Sequence, residues 1–248
     1  NSFYNCSSLA GVEIPTNVTN IGREAFYDCY LLKDVSFSSG SKLQRLGIYT
    51  FVNCGMTDIT IPASVEEIAQ YVFYNCRNLK EITFEANSAL TYVAAYLFRG
   101  TKVETVVFEE GSALTSLQAH AFDGAYYLKR VDFGDAAITN VDNYAFYNCS
   151  ALEDILIPDS VTYIGRYAFY NCAKLDRMDL PATVMGFEFD ADIYGNMFAV
   201  ATTTLSVERS MQIITYLNTN SELRNLLQYG IEGQHYEIVE GPYYDRTD

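Results

Sequence analysis

Tryptophan is absent from this chain, and histidine occurs only at His120 and His235. So little imidazole leaves no Ser-His-Asp or Cys-His arrangement to assemble, and no G-x-S-x-G, H-E-x-x-H or P-loop text appears. Paired C-x-x-C spacing is also missing, so neither a metal nor a cofactor is expected. No run of about 18 uncharged apolar residues occurs, so no segment reads as a membrane-spanning helix. Basic residues are scarce. The 16 Lys and Arg stand against 31 Asp and Glu, for a formal net charge of −15, divided as 13 basic against 21 acidic in residues 1–185 and 3 against 10 in residues 186–248. A surface of that sign repels phosphate backbones and anionic lipid, so a nucleic-acid partner is not expected. With 49% hydrophobic and 19% charged residues the chain is still too apolar for disorder and reads as folded and soluble.

What is present is a repeat. Phenylalanine recurs at Phe3, Phe26, Phe51, Phe73, Phe98, Phe122, Phe146 and Phe169, in steps of 23, 25, 22, 25, 24, 24 and 23 residues. Around it the text reads I-G-x-x-A-F-x-x-C-x-x-L-x-x-V-x-I-P, nearly complete in Ile21 to Asp34 and again in Ile164 to Pro181. Eight coils follow, named below as coils 1 to 8 by their Phe. A period of 22–25 residues falls in the leucine-rich-repeat range, where each coil supplies one short strand and a return segment. In Ile155-Leu156-Ile157-Pro158 the two isoleucines point one way and Leu156 the other, and proline ends the run because it cannot donate to a ladder. Val12/Ile14, Val35/Phe37, Ile59/Ile61, Ile82/Phe84, Val106/Phe108, Val131/Phe133 and Met178/Leu180 hold the same inward pair. The expected fold is thus an α/β repeat solenoid: a leucine-rich-repeat array of eight coils with a parallel strand wall about 35–40 Å long, followed by a small helical C-terminal unit.

The I-G-x-x-A-F-x-x-C-x-x-L-x-x-V-x-I-P pattern resembles the BspA-like class of leucine-rich repeats, known from surface and secreted proteins of anaerobic bacteria and some parasitic protists. The resemblance covers residues 1 to about 185. It implies an extracellular or cell-surface bacterial location and a binding role, toward protein or glycan, in place of catalysis. The first residues, Asn1 to Cys6, read as the middle of a repeat, so upstream sequence is expected, with any export signal or attachment to the cell envelope.

Two faces of such a solenoid are candidates for contact. On the wall, Asp34, Asp58, Glu81, Arg130, Asp132, Asp154, Arg177 and Asp179 are expected to point outward from the strands. On the return side, 21 tyrosines include two ladders: Tyr4, Tyr27, Tyr74, Tyr147 and Tyr170 just after the repeat Phe, and Tyr71, Tyr96, Tyr144 and Tyr167 two residues before it, with Tyr49 matching and His120 in the same place. Tyrosine gives rigid, amphipathic contact area, so the second ladder reads either as a recognition face or as shielding for the coil turns. The six cysteines, Cys6, Cys29, Cys54, Cys76, Cys149 and Cys172, all stand three residues after Phe, where Thr101 and Ala125 also occur. Exchange with small residues marks a packing position, so reduced core thiols are preferred to disulfides such as Cys6 to Cys29, and both to metal. Three N-x-S/T sequons, at Asn5, Asn17 and Asn148, carry no weight in a bacterial protein.

Past Val184 the pattern stops. A helix is expected over Val207 to Leu217, and Thr219-x-x-Glu222 reads as a capping box before a second helix ended by Gly230. Residues 211–236, ending in Tyr229-Gly230-Ile231-Glu232-Gly233-Gln234-His235-Tyr236, resemble the carboxy-terminal part of extracellular solute-binding proteins of ABC importers. That resemblance implies the alternative role, substrate capture for an importer, but carries over no binding residues, because the two ligand-closing lobes are absent. Asp190-x-Asp192-x-Tyr194-Gly195 imitates the start of a calcium loop, yet its twelfth position is Ala201 and not Glu.

Overall fold

The computed structural model describes residues 1–175 and 178–180, together with the strand segments 200–201, 236–238 and 244–246. Each coil supplies a wall strand and, after a turn, a two-residue strand on a second strip. In chain order the pairs are β1 (Gly11–Ile14) and β2 (Asn20–Ile21), β3 (Asp34–Phe37) and β4 (Arg45–Leu46), β5 (Asp58–Ile61) and β6 (Glu67–Ile68), and β7 (Glu81–Phe84) and β8 (Tyr92–Val93). Then come β9 (Thr105–Phe108) and β10 (Ser116–Leu117), and β11 (Arg130–Asp132) and β12 (Asn140–Val141); β13 (Tyr163–Ile164) continues the second strip, and β14 (Asp179–Leu180) follows in the next coil. All pairing within these strips is parallel and in register, as in Ile59↔Ile82↔Val106↔Val131.

The fold is a parallel β-solenoid, and two expectations are corrected. First, among the described residues there is no helix, so α/β is replaced by strands and turns. The reason is local. The residues two before and two after each repeat Phe take positive φ, as at Tyr71 (60°) and Asn75 (60°) or Tyr144 (59°) and Asn148 (61°). Left-handed residues cannot belong to a right-handed helix, so every Ala-Phe turn is closed at both ends before it can propagate. Second, about six regular turns are present in place of eight. Six coils place a strand of three or four residues on the wall, whereas the seventh contributes only a single bridge at Asp154. β11 ends early because the Asp132 carboxylate accepts both the Gly134 N–H (3.1 Å) and the Arg130 guanidinium (2.7 Å), closing a turn instead of extending the ladder. Gly134 is required there: its φ is +57° and a Cβ would stand 2.6 Å from the Phe108 carbonyl oxygen. The helices expected between Val207 and Gly230, the junction near 185 and the calcium-like text lie outside the described residues. β15 (Val200–Ala201) pairs in parallel with β14, and β16 (Tyr236–Ile238) pairs antiparallel with β17 (Tyr244–Arg246).

The core is a set of ladders one coil step apart. Phe3, Phe26, Phe51 and Phe73 stack at 5.1, 5.4 and 5.9 Å, and Phe98, Phe122, Phe146 and Phe169 at 4.9, 4.8 and 5.0 Å. Centroids at these separations gain about 0.5–1.5 kcal/mol per pair beyond area burial. The left-handed position after Phe holds Asn, Asp or Gly in every coil, the residues that tolerate it best. It adds a polar ladder in which the Asn53 amide donates to Asp28 (2.6 Å), the Asn75 amide to Asn53, and the Asn171 amide to Asn148 (2.9 Å). The wall divides between β3 and β5, where Gly55 approaches the Tyr30 carbonyl so closely that a Cβ would strike it. The second strip divides one coil later, between β6 and β8.

Asn53→Gly keeps the backbone but loses the two ladder bonds, and is expected to cost about 1–2 kcal/mol in urea unfolding. Asn53→Val adds a β-branched residue at φ 59° and is expected to cost roughly 1–3 kcal/mol more. Equal costs for the two variants would remove the left-handed bracket as a determinant of the fold.

Candidate functional site

The wall carries two outward rows. Asp58↔Glu81↔Thr105↔Arg130 are in register, and Thr60↔Thr83↔Val107 run beside them, with Asp132 next in line. Asp34 lies on the separate β1-β3 sheet opposite Gly11. Asp154 is exposed at the end, beside Leu156, whose side chain is 76% exposed. Arg177 lies outside the described residues, and Asp179 is placed on β14. The described wall residues are therefore distributed over three sheets and a bridge and do not converge on one point. Arg130 is also held by Asp132 within its own strand. Below this row, charges alternate from coil to coil, with Lys129 on Glu104 at 2.6 Å and Lys174 on Glu153 at 3.2 Å. Lys129 hydrogen-bonds Glu104 and draws its carboxyl below the usual range, though exposed pairs of this kind contribute little.

The return side is more ordered. Tyr49, Tyr71, Tyr96, His120, Tyr144 and Tyr167 form one continuous stack, with successive centroids 5.4, 5.1, 4.7, 4.8 and 5.2 Å apart. The ladder two residues before the repeat Phe is thus one array, whereas the ladder just after it stacks only as the pairs Tyr4 on Tyr27 and Tyr147 on Tyr170. All six residues of the continuous stack have positive φ, where a bulky side chain costs about 1–3 kcal/mol. Stacking and edge contacts offset that strain: Tyr71 meets Tyr74, Tyr144 meets Tyr147 and Tyr167 meets Tyr170 edge-on, at 5.8, 5.5 and 5.8 Å. His120 Nδ1 lies 2.8 Å from Asp123 Oδ2, which fixes the imidazole plane in the stack. Arg99 and Arg166 lie over the Tyr96 and Tyr167 rings, at 5.3 and 4.9 Å.

Between the two tyrosine ladders, from coil 1 to coil 5, opens a groove of about 550 Å³. It is lined by Tyr4, Tyr27, Tyr49, Tyr71 and Tyr74 together with Glu24, Val52 and Arg99. Burial raises the pKa of Tyr27, with the Asp28 charge adding to it, and burial followed by Tyr96 does the same for Tyr71. Both phenols remain hydrogen-bond donors at neutral pH. Sequence reading missed Glu24, Val52 and Arg99 because each interrupts a tyrosine ladder; the interruptions themselves were the available signal. It also missed the left-handed positions, which the Asn/Asp/Gly succession after Phe would have marked.

The cysteines are all free thiols. The Sγ–H of Cys29, Cys54, Cys76, Cys149 and Cys172 each donates to the carbonyl of the preceding coil's Phe, at 2.8–3.2 Å. Burial pushes the Cys76 and Cys172 thiols up to about 12 and those of Cys29, Cys54 and Cys149 upward as well. No group of His, Cys, Asp and Glu suited to a metal occurs among the described residues, and none of their buried side-chain polar atoms lacks a hydrogen-bond partner.

A family model described as BspA type leucine rich repeat region matches residues 1–129 and 91–221. The pneumococcal vaccine antigen PcpA superposes with a TM-score of 0.51 at 20% identity, over 71% of this chain and 51% of PcpA. A leucine-rich-repeat protein of T. pallidum gives 0.52 at 24% identity, over 61% of this chain and 69% of that one. A carbohydrate ABC transporter substrate-binding protein of Streptococcus pneumoniae is 46% identical over 44 residues, 18% of this chain and 9% of that protein. The chain thus spans about half the length of PcpA and a small part of the transport protein.

Native protein at pH 8 is expected to react with a thiol reagent first at the partly exposed Cys6, and denatured protein at six groups. Because ionisation of the folded thiols is suppressed, stability is full below about pH 9 and falls as pH rises toward 12. A Cys76→Ala/Cys172→Ala variant should decline less steeply in urea midpoints over that window. Rapid labelling of five or six native thiols would contradict the packing role.

Proposed function

Because the chain belongs to the BspA-type leucine-rich-repeat family, we propose that it is an exported or cell-surface module that binds another protein and catalyses no reaction. The observation that supports this most is the continuous tyrosine stack on the return side, with the in-register wall row from Asp58 to Arg130, set on a core in which no described buried side-chain polar atom lacks a partner. A solenoid offers such extended faces because each coil repeats its neighbour's geometry. The name of PcpA as a vaccine antigen supports a location open to antibodies. With −15 formal charge, the partner is a protein with a basic surface.

The 44-residue match to a carbohydrate-transporter component favours one second reading, in which the solenoid is joined to solute capture for an importer. Its supporting segment is short, and it accounts for none of the ladder geometry.

The test is an array of extracellular proteins probed with the purified chain, followed by Asp58→Lys/Glu81→Lys. Binding to a basic protein should weaken at least tenfold in the double variant, a change of about 1.4 kcal/mol, and should decline with salt. A wild-type chain that binds no protein, or one whose binding ignores both charge reversal and salt, would rule the proposal out. Solute binding lost on deletion of residues 186–248 would favour the importer.

A further inference from the structure

In each of coils 2 to 8 the residue two before the repeat Phe faces the residue one after it. The pairs are Glu24/Tyr27, Tyr49/Val52, Tyr71/Tyr74, Tyr96/Arg99, His120/Asp123, Tyr144/Tyr147 and Tyr167/Tyr170. Three pair ring edge to ring face, one sets a guanidinium over a ring, and one joins imidazole to carboxylate. In coil 2 the Glu24 charge acts on the Tyr27 hydroxyl. Coil 3 alone sets a tyrosine beside an aliphatic side chain.

Val52 therefore marks a missing ring. The same position holds tyrosine in coils 1, 2, 4, 7 and 8, and where two such tyrosines are adjacent they stack, Tyr4 on Tyr27 at 5.1 Å and Tyr147 on Tyr170 at 5.0 Å. Tyr27 and Tyr74 stand two coil steps apart, roughly 10 Å, and the rung between them carries only the buried Val52. Val52 lines the groove of about 550 Å³, within the range of small-molecule sites. A six-membered ring seated in that groove would have Tyr27, Tyr49, Tyr71 and Tyr74 around it.

We propose that this groove binds one hexopyranose ring of a glycan. Stacked phenols present flat faces to the C–H side of a sugar ring, and their hydroxyls can both donate and accept. The Glu24 carboxylate, which already accepts from the Arg23 guanidinium at 3.0 Å, has further lone pairs for sugar hydroxyls, and the Arg99 guanidinium donates to ring or hydroxyl oxygens. No carboxylate of the described residues lies within ion-pair distance of Arg99, so its donors remain available apart from the contact with Tyr96. A rim of hydroxyls and opposite charges matches a polyhydroxylated ring better than the side chain of an apolar partner residue. The proposal rests on the reading of the chain as a binding module but not on the wall, so a wall that captures no protein leaves it standing.

Saturation-transfer NMR on the full chain provides the test, with methyl β-D-galactopyranoside, methyl α-D-mannopyranoside and N-acetylglucosamine as probes and N-acetyltyrosinamide as the side-chain control. At least one sugar should receive transfer from the wild type. Val52→Tyr, which completes the ladder with the residue five other coils carry, should melt no lower than the wild type and lose that transfer. Glu24→Gln should weaken it at least threefold while the melting temperature stays within a few degrees. Sugar transfer that persists in Val52→Tyr, or none from the wild type, overturns the proposal. Transfer to N-acetyltyrosinamide alone, abolished by Val52→Tyr, also overturns it and gives the groove to an aromatic side chain of a protein.

Discussion

The constraint on which this molecule depends is that each side chain has its own counterpart as nearest neighbour, about one strand spacing away along the axis. Residues that gain from meeting themselves accumulate. Phenylalanine stacks in the core, tyrosine on the return side, and asparagine passes an amide hydrogen to the asparagine before it. Cysteine satisfies the rule differently, giving its S–H to the main chain of the preceding coil. Charged residues lose by it, and the row Glu104, Lys129, Glu153, Lys174 alternates in sign. Asp58 and Glu81 break the rule by sitting directly opposite each other, an arrangement that costs stability in a sheet.

The same constraint explains how far the sequence could be read. The period, the inward pairs and the common position of the cysteines are properties of composition at fixed spacing, so they were legible in one dimension. The direction of the backbone was not. A tyrosine at φ 60° looks in sequence like any other tyrosine, so the left-handed residues on either side of each Phe, which keep the return path in turns, are visible only in the backbone. Eight Phe rungs were counted correctly, but the hydrogen-bonded wall follows main-chain geometry, and Asp132 and Gly134 close it early. The stack from Tyr49 to Tyr167 was foreseen as residues on one face. The groove was not, since it arises from Val52, a residue that departs from the pattern and so drew no notice.

Strain and stacking are coupled in the tyrosine array. Six aromatic residues hold a conformation that glycine or asparagine would adopt more easily, and the ring contacts that compensate exist only when neighbouring coils are in place. Order on this face is accordingly a collective property: a lone coil would bear the strain without the stack. This makes the array stiff along its length, which suits a surface that must present groups at fixed separation, as preorganised sites do.

The two interruptions in the sheets can be viewed mechanically. The wall is cut between β3 and β5, and the second strip one coil later, between β6 and β8. No single cross-section severs both, so a pull along the axis at either gap is still borne by hydrogen-bonded strands on the other strip, aided at the first gap by the stacks of Tyr49 on Tyr71 and Phe51 on Phe73 and at the second by Tyr71 on Tyr96. The rod has two offset joints and no hinge, so under shear it flexes slightly at each without parting.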